Sequence, residues 1–190
     1  PFEFVRGYDL SGKEDVEALI SQAAAAAQGK DAVVVYAGLP DEYESEGFDR
    51  AHIDLPAEQN ALIERLAAVN PNLAVVLHGG SAMRLPWLAK VQSVLLLGLG
   101  GQSSGAASID LLFGKANPSG KLSETYPLEL ADNPAYLQFG RRLTSQYRES
   151  IYVGYRYYDK AGKAVAFPFG HGLSYTEFEY RDLSLSQRSM

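Results

Sequence analysis

Ala32-Val33-Val34-Val35-Tyr36 is an unbroken apolar run between Asp31 and the Gly38 region, and it reads as a buried strand. Two further runs of this kind follow, over 73–77 and 91–97. Stretches of helical character lie around them. Residues 13–28 carry Glu14, Asp15 and Glu17 in the first turns and the alanine run 23–27, a combination that predicts a helix packed closely on a sheet. Over 57–69, after Leu55-Pro56, the side chains of Leu62, Ile63, Leu66 and Val69 fall on one helical face. Another helix is predicted over 103–114, entered through the glycine turn 98–101 and ended by Gly114, with a short one over 82–90 around Trp87. Strands that alternate with helices imply parallel pairing through crossovers. The expected fold is therefore α/β, a mainly parallel sheet flanked by helices.

The first strand leads into Glu42-Tyr43-Glu44-Ser45-Glu46-Gly47-Phe48-Asp49-Arg50, with four carboxylates and one arginine. In an open α/β sheet, ligands bind at the carboxyl ends of strands. A carboxylate-rich loop in that place is a candidate source of a general acid or base. As a charge run alone it reads more readily as a solvated surface loop. Glycoside hydrolysis requires two carboxyl groups flanking one bond, one of them a proton donor. Glu42, Glu44, Glu46 and Asp49 offer candidates for that donor, and Arg50 is placed to hold a neighbour ionised.

A chain of 190 residues, 46% apolar and 21% charged, fits one globular domain with a real core. Its net charge of −6 argues against nucleic acid or an anionic membrane as the main partner. Without cysteine there is no disulfide framework and no thiolate chemistry. No apolar run approaches the roughly 18 residues of a membrane span. The start, Pro1-Phe2-Glu3-Phe4, resembles no signal peptide and lacks an initiator Met, which predicts a processed chain or a piece of something longer. Compartment stays open, leaning to a soluble cytoplasmic setting.

Three rival chemistries are weighed on their motifs. Gly101-Gln102-Ser103-Ser104-Gly105 matches a nucleophile elbow, His78-Gly79-Gly80 resembles an oxyanion-hole motif, and Asp132 and His171 follow Ser103 in hydrolase order. Too little chain separates the two glycine motifs for that fold, and the same glycines serve tight turns. Gly98-Leu99-Gly100-Gly101 looks like part of a dinucleotide loop, but Ser103 stands where a third glycine is needed. His52, His78 and His171 lie far apart and form no ligand pair.

After Asn117-Pro118-Ser119-Gly120 the composition turns to Tyr, Phe, Gly and Pro. Residues 121–180 read as a wrap of loops and short strands over the α/β body, with a strand at 151–158 and an antiparallel edge strand on the sheet. Tyr147, Tyr152, Tyr155, Tyr157 and Tyr158 offer a sugar-stacking surface, although such aromatics more often pack as core. The tail over 178–185 alternates like a strand.

Many of these stretches occur together in one family. Glu44-Ser45-Glu46-Gly47-Phe48-Asp49-Arg50, Leu55-Pro56 with Gln59, Gly101-Gln102 with Gly105, and Phe113-Gly114 with Asn117-Pro118-Ser119-Gly120-Lys121-Leu122 come first. Glu124-Thr125-Tyr126-Pro127, Tyr147-Arg148-Glu149, Val153-Gly154-Tyr155-Arg156-Tyr157-Tyr158 and Phe167-Pro168-Phe169-Gly170-His171-Gly172-Leu173-Ser174-Tyr175-Thr176 with Phe178 follow in the same order. In this the chain resembles the C-terminal α/β sandwich domain of glycoside hydrolase family 3, the β-glucosidase group. The resemblance implies a retaining exo-acting enzyme that releases β-linked glucose, with no cofactor and no need of a metal. It assigns the acid/base role to Glu46, with Glu44 as second choice, and gives Asp49 and Arg50 a part in shaping the loop. It further implies a (β/α)8 barrel domain carrying an aspartate nucleophile, which these residues do not contain, so the isolated chain is expected to be inactive. A non-catalytic carbohydrate-binding or interaction module is the alternative, ahead of a serine esterase. The domain is expected over 1–180, with 181–190 starting a linker to a fibronectin-like domain.

Overall fold

The computed structural model describes residues 2–141 and 143–187. Its centre is a three-stranded parallel sheet, β1 (Val33–Gly38), β2 (Leu73–His78) and β3 (Ser93–Gly98), in spatial order β1-β2-β3. β1 and β2 pair in register from Val33 with Leu73 to Gly38 with His78. β2 and β3 pair from Ala74 with Ser93, with a register shift at Leu77 and His78.

Alternate strand residues point to opposite faces. Val35, Ala37, Leu73, Val75 and Leu77 face one side and form the core with α1 (Val16–Ala27) and α2 (Ala57–Val69). Helix α1 contributes Ile20, Ala23 and Ala27, and its small side chains let it lie close to α2. Asp15 caps α1 by accepting the Ala18 N–H at 3.2 Å. Leu62, Ile63 and Leu66 of α2 are buried, as the helical spacing predicts. Trp87 is fully buried at the edge of this core, and its indole N–H donates to Asn60 Oδ1 at 2.9 Å.

Helix α3 (Ser104–Leu112) covers the second face through Tyr36, whose hydroxyl lies 3.0 Å from Ser108 Oγ. This face is only partly covered: Val34 and Tyr36 remain 42% and 41% exposed. The sheet with flanking helices thus matches expectation, with one face closed and the other half open.

Residues after 120 depart from the sequence reading. β4 (Tyr126–Pro127) and β5 (Val165–Phe167) make a separate two-stranded antiparallel sheet rather than an edge on the parallel one. The strand expected at 151–158 is instead irregular chain followed by α4 (Tyr155–Ala161). Gly154, with φ 57° and ψ −134°, turns the chain into that helix, and Gly162, in the left-handed region, ends it. Only Tyr158 of the tyrosine cluster is buried, while Tyr147 stands open to solvent, so most of these side chains do not pack as core. The short helix expected at 82–90 reduces to a 3-10 turn, Leu88–Lys90. No strand forms over 178–187, and the expected linker start at 181–190 reaches residues 188–190, which lie outside the described residues.

Two buried polar groups tie the layers. Asn70 donates through Nδ2 to Ala27 O and Lys30 O at 3.0 and 2.8 Å, and its Oδ1 accepts the Asn72 N–H at 2.9 Å. It therefore joins the end of α1 to the start of β2. Asp9 accepts the Ser11 hydroxyl and the amides of Lys13 and Glu14, and Arg6 also donates to it. The Ser11 hydroxyl bond above all, with backbone amides adding, holds its carboxyl down at about 2 against the opposing effect of burial.

Asn70→Ala strands the two carbonyls it serves and should cost about 2–3 kcal/mol in urea-unfolding free energy. Asp9 binds its proton more weakly in the folded than in the unfolded chain. Its stabilising contribution is therefore full above the ordinary value of 3.8 and lost as pH falls toward about 2. Stability measured between pH 5 and pH 2 should fall less steeply in Asp9→Asn than in the unaltered chain; equal slopes would remove Asp9 from the account.

Candidate active-site loop

The loop over 39–53 leaves β1 at its carboxyl end and is fastened where it starts. Gln59, buried in α2, accepts the Gly38 N–H through Oε1 at 2.9 Å. The Leu39 N–H donates to His78 O at 3.0 Å, and the Tyr43 and Glu44 amides close a turn on Pro40 O. Its far end is held by a parallel bridge between Asp54 and Arg84 and by an ion pair from Arg84 Nε to Asp54 Oδ1 at 2.5 Å. Between these ends, the Tyr43 ring packs edge-on against His52, 5.4 Å between centroids.

The four loop carboxylates do not share one environment. Glu42, Glu46 and Asp49 are exposed. Glu44 is partly buried, and both its oxygens are occupied: Oε2 accepts the Gly80 N–H and Oε1 accepts the Ser81 hydroxyl, each at 2.7 Å. A Cβ at position 80 would sit tightly, 3.2 Å from Glu44 Oε1 and 3.0 Å from Leu99 Cδ1, and would press on both side chains. Arg50 reaches the same turn from the other side of the loop. Its Nη1 donates to Ser81 Oγ at 2.8 Å and to Ala82 O at 3.2 Å, and Nη2 donates to Asp54 O at 3.3 Å.

A further carboxyl completes the cluster. Burial, with the charge of Glu44 adding, pushes the Glu124 carboxyl above its ordinary value, while an Ala82 amide bond and Arg50 oppose the shift. Burial likewise lowers the Arg50 guanidinium, against the raising effect of Glu44, Asp54 and Glu124. Tyr126 is pushed up to about 12 by burial, then by Glu124 and Glu44. Beyond Glu124 an open cleft of about 390 Å³ is bordered by Glu149, Tyr155, Arg156 and Phe169.

Sequence reasoning found the loop and missed Ser81 and Glu124 as its partners. Gly79-Gly80-Ser81 follows β2 as the carboxylate loop follows β1, so the same positional rule would have marked it. Glu124 carried no such signal.

The rival sites are not assembled. Asp132 pairs with Lys163, the His171 ring rests on Phe167 at 4.8 Å, and Ser103 lies at the entry of α3 with no cap bond. His52 Nδ1 accepts the Asp54 N–H, and His78 stacks on Tyr36. Among the described residues no group of three or more His, Cys, Asp or Glu is arranged to hold a metal ion, and no helix is long and apolar enough to cross a membrane. Asn117 acts as scaffold, its Oδ1 accepting the Ser174 hydroxyl and Tyr175 amide and its Nδ2 donating to Thr176 Oγ1.

Comparison with known proteins agrees with the α/β fold. The thermostable beta-glucosidase B of Acetivibrio thermocellus is 53% identical over 188 residues, covering 98% of this chain and 25% of that protein. A probable beta-glucosidase I of Aspergillus terreus is 46% identical over 180 residues, 94% of this chain and 22% of its own length. The crystal structure of the Kluyveromyces marxianus beta-glucosidase in complex with glucose superposes with a TM-score of 0.84 at 42% identity, over 87% of this chain and 20% of that one. The chain thus spans about a quarter of the length of the curated relatives it matches. Residues 9–175 match the glycosyl hydrolase family 3 C-terminal domain, and the chain belongs to that family.

Proposed function

We propose that this domain supplies the acid/base carboxyl of a retaining β-glucosidase, and that the carboxyl is Glu46. The observation that carries the choice is the contrast between Glu44 and Glu46. Glu44 spends both oxygens on Gly80 and Ser81, so its lone pairs are engaged inside the protein. Glu46 is exposed, two residues on, at the carboxyl end of the sheet. A general acid must reach the glycosidic oxygen, and only a free carboxyl does so. The beta-glucosidase names of the relatives support the activity and the β-glucoside substrate.

In the proposed double displacement, Glu46 protonates the departing glycosidic oxygen while a carboxylate on the opposite side attacks the anomeric carbon. Glu46 then takes a proton from the water that releases glucose. The attacking carboxylate is an aspartate of a (β/α)8 barrel domain, as the family resemblance implies. Arg50 sits with Glu44 and Glu124 beneath the loop and limits the repulsion that so many carboxylates create.

The chain alone should show no turnover of an aryl β-glucoside above the uncatalysed rate. Turnover lost in Glu46→Gln would place both carboxylates within these residues and overturn the division of labour. Joined to a family 3 barrel domain, the chain should hydrolyse the substrate. There Glu46→Gln should lower kcat about 10²–10⁴-fold for an alkyl glucoside. Loss should be smaller for a nitrophenyl glucoside, whose leaving group needs little protonation, and azide should restore part of the rate by attacking without a base. Full activity in Glu46→Gln with loss in Glu44→Gln would transfer the role to Glu44.

A further inference from the structure

We propose that Glu44 and Arg50 form a clasp that positions Glu46, an inference that rests on Glu46 being the acid/base. Both residues grip one short turn at the end of β2. Glu44 takes the Gly80 amide and the Ser81 hydroxyl, and Arg50 donates to that same Ser81 oxygen and to Ala82 O. Ser81 Oγ is therefore the shared pin, donating to Glu44 and accepting from Arg50. Residues 45–49 span the interval between the two grips. Glu46 lies two residues from Glu44, within about 7 Å even if the chain is fully extended. Gly47, at φ 96°, turns the chain back toward Arg50. Glu46 thus stands on a short arch whose two feet are tied to one point of the turn after β2.

The clasp has the chemistry of a fixed rather than a sliding contact. Its bonds join a carboxylate to an amide and a hydroxyl, and a guanidinium to a hydroxyl and a carbonyl, all charge-assisted. Glycine at 80 keeps the space that Glu44 enters. Glu44 and Arg50 are positioning residues here; neither is assigned contact with substrate.

The test follows amide hydrogen exchange and tryptic cleavage after Arg50 in the full chain, comparing the unaltered protein with Glu44→Gln, Ser81→Ala and Glu46→Gln. With the clasp broken in Glu44→Gln, the Gly80 amide should exchange about tenfold faster and the bond after Arg50 should be cut about tenfold faster. The Val76 amide should keep its protection, and Glu46→Gln should change neither rate. Unchanged rates in Glu44→Gln overturn the clasp. If Glu44→Gln also exposes Val76, Ser81→Ala, which removes one hydroxyl, must give the same two accelerations or the proposal fails. In the barrel-joined enzyme, Glu44→Gln should lower kcat about tenfold with KM within about twofold, and should add no further loss in a Glu46→Gln background. Equal losses in both backgrounds overturn positioning through Glu46. A wrong assignment of Glu46 shows separately, as full activity in Glu46→Gln while the exchange and cleavage rates still respond to Glu44.

Discussion

Gly38 lies so close to His78 that a Cβ on it would meet the His78 carbonyl oxygen at 2.4 Å. This contact brings the ends of β1 and β2 to one level, and the site follows from it. The loop over 39–53 and the turn over 79–82 depart side by side, so Glu44 needs no long reach to find the Gly80 amide. β3 ends beside them, and Leu99, just past its last residue, packs on Gly80. Three strand ends thus converge, as parallel pairing requires. Gln59 adds the link to the hydrophobic layer, because its amide oxygen holds the Gly38 N–H while its helix buries Leu62, Ile63 and Leu66.

What was legible in the sequence is what short-range pattern determines. The runs at 32–36 and 73–77 became β1 and β2 within a residue or two, since continuous apolar runs suit the strands of a parallel sheet. The run at 91–97 was read two residues early because Val91 is apolar, yet the ladder starts at Ser93, opposite Ala74. The tyrosine-rich run at 151–158 misled for a physical reason. Aromatic side chains favour strands only where a partner strand offers its edge. Here none does, and the glycines at 154 and 162 bracket a helix. In the site, the carboxylate loop was visible because its charges crowd into one short stretch of sequence. Its partners were not, because Ser81 and Glu124 come from other strand ends and meet the loop only in space.

The cluster beneath the loop also shows how the fold tolerates several acids together. Glu44, Glu124 and Asp54 lie near the Arg50 guanidinium, and Asp54 is also paired with Arg84. Full ionisation of all three in a partly buried place would be costly. The cost falls on Glu124, whose carboxyl is pushed toward its neutral form by burial and by Glu44. Glu44 has two good donors. Burial is the main cause of the Glu124 shift, and the charge of Glu44 adds to it.

Such a distribution bears on why the proposed acid/base group would sit on an arch rather than on a rigid strand. A proton donor must approach a glycosidic oxygen whose position is set by whatever binds the sugar, and a side chain pointing along a strand end reaches only a narrow region. An arch reaches farther but loses precision unless its feet are fixed. Tying both feet to Ser81 resolves that conflict with a single hydroxyl, because any displacement of one foot disturbs the other. Glu44 holds the turn a second time through the Gly80 amide, which stiffens the point on which the arch stands.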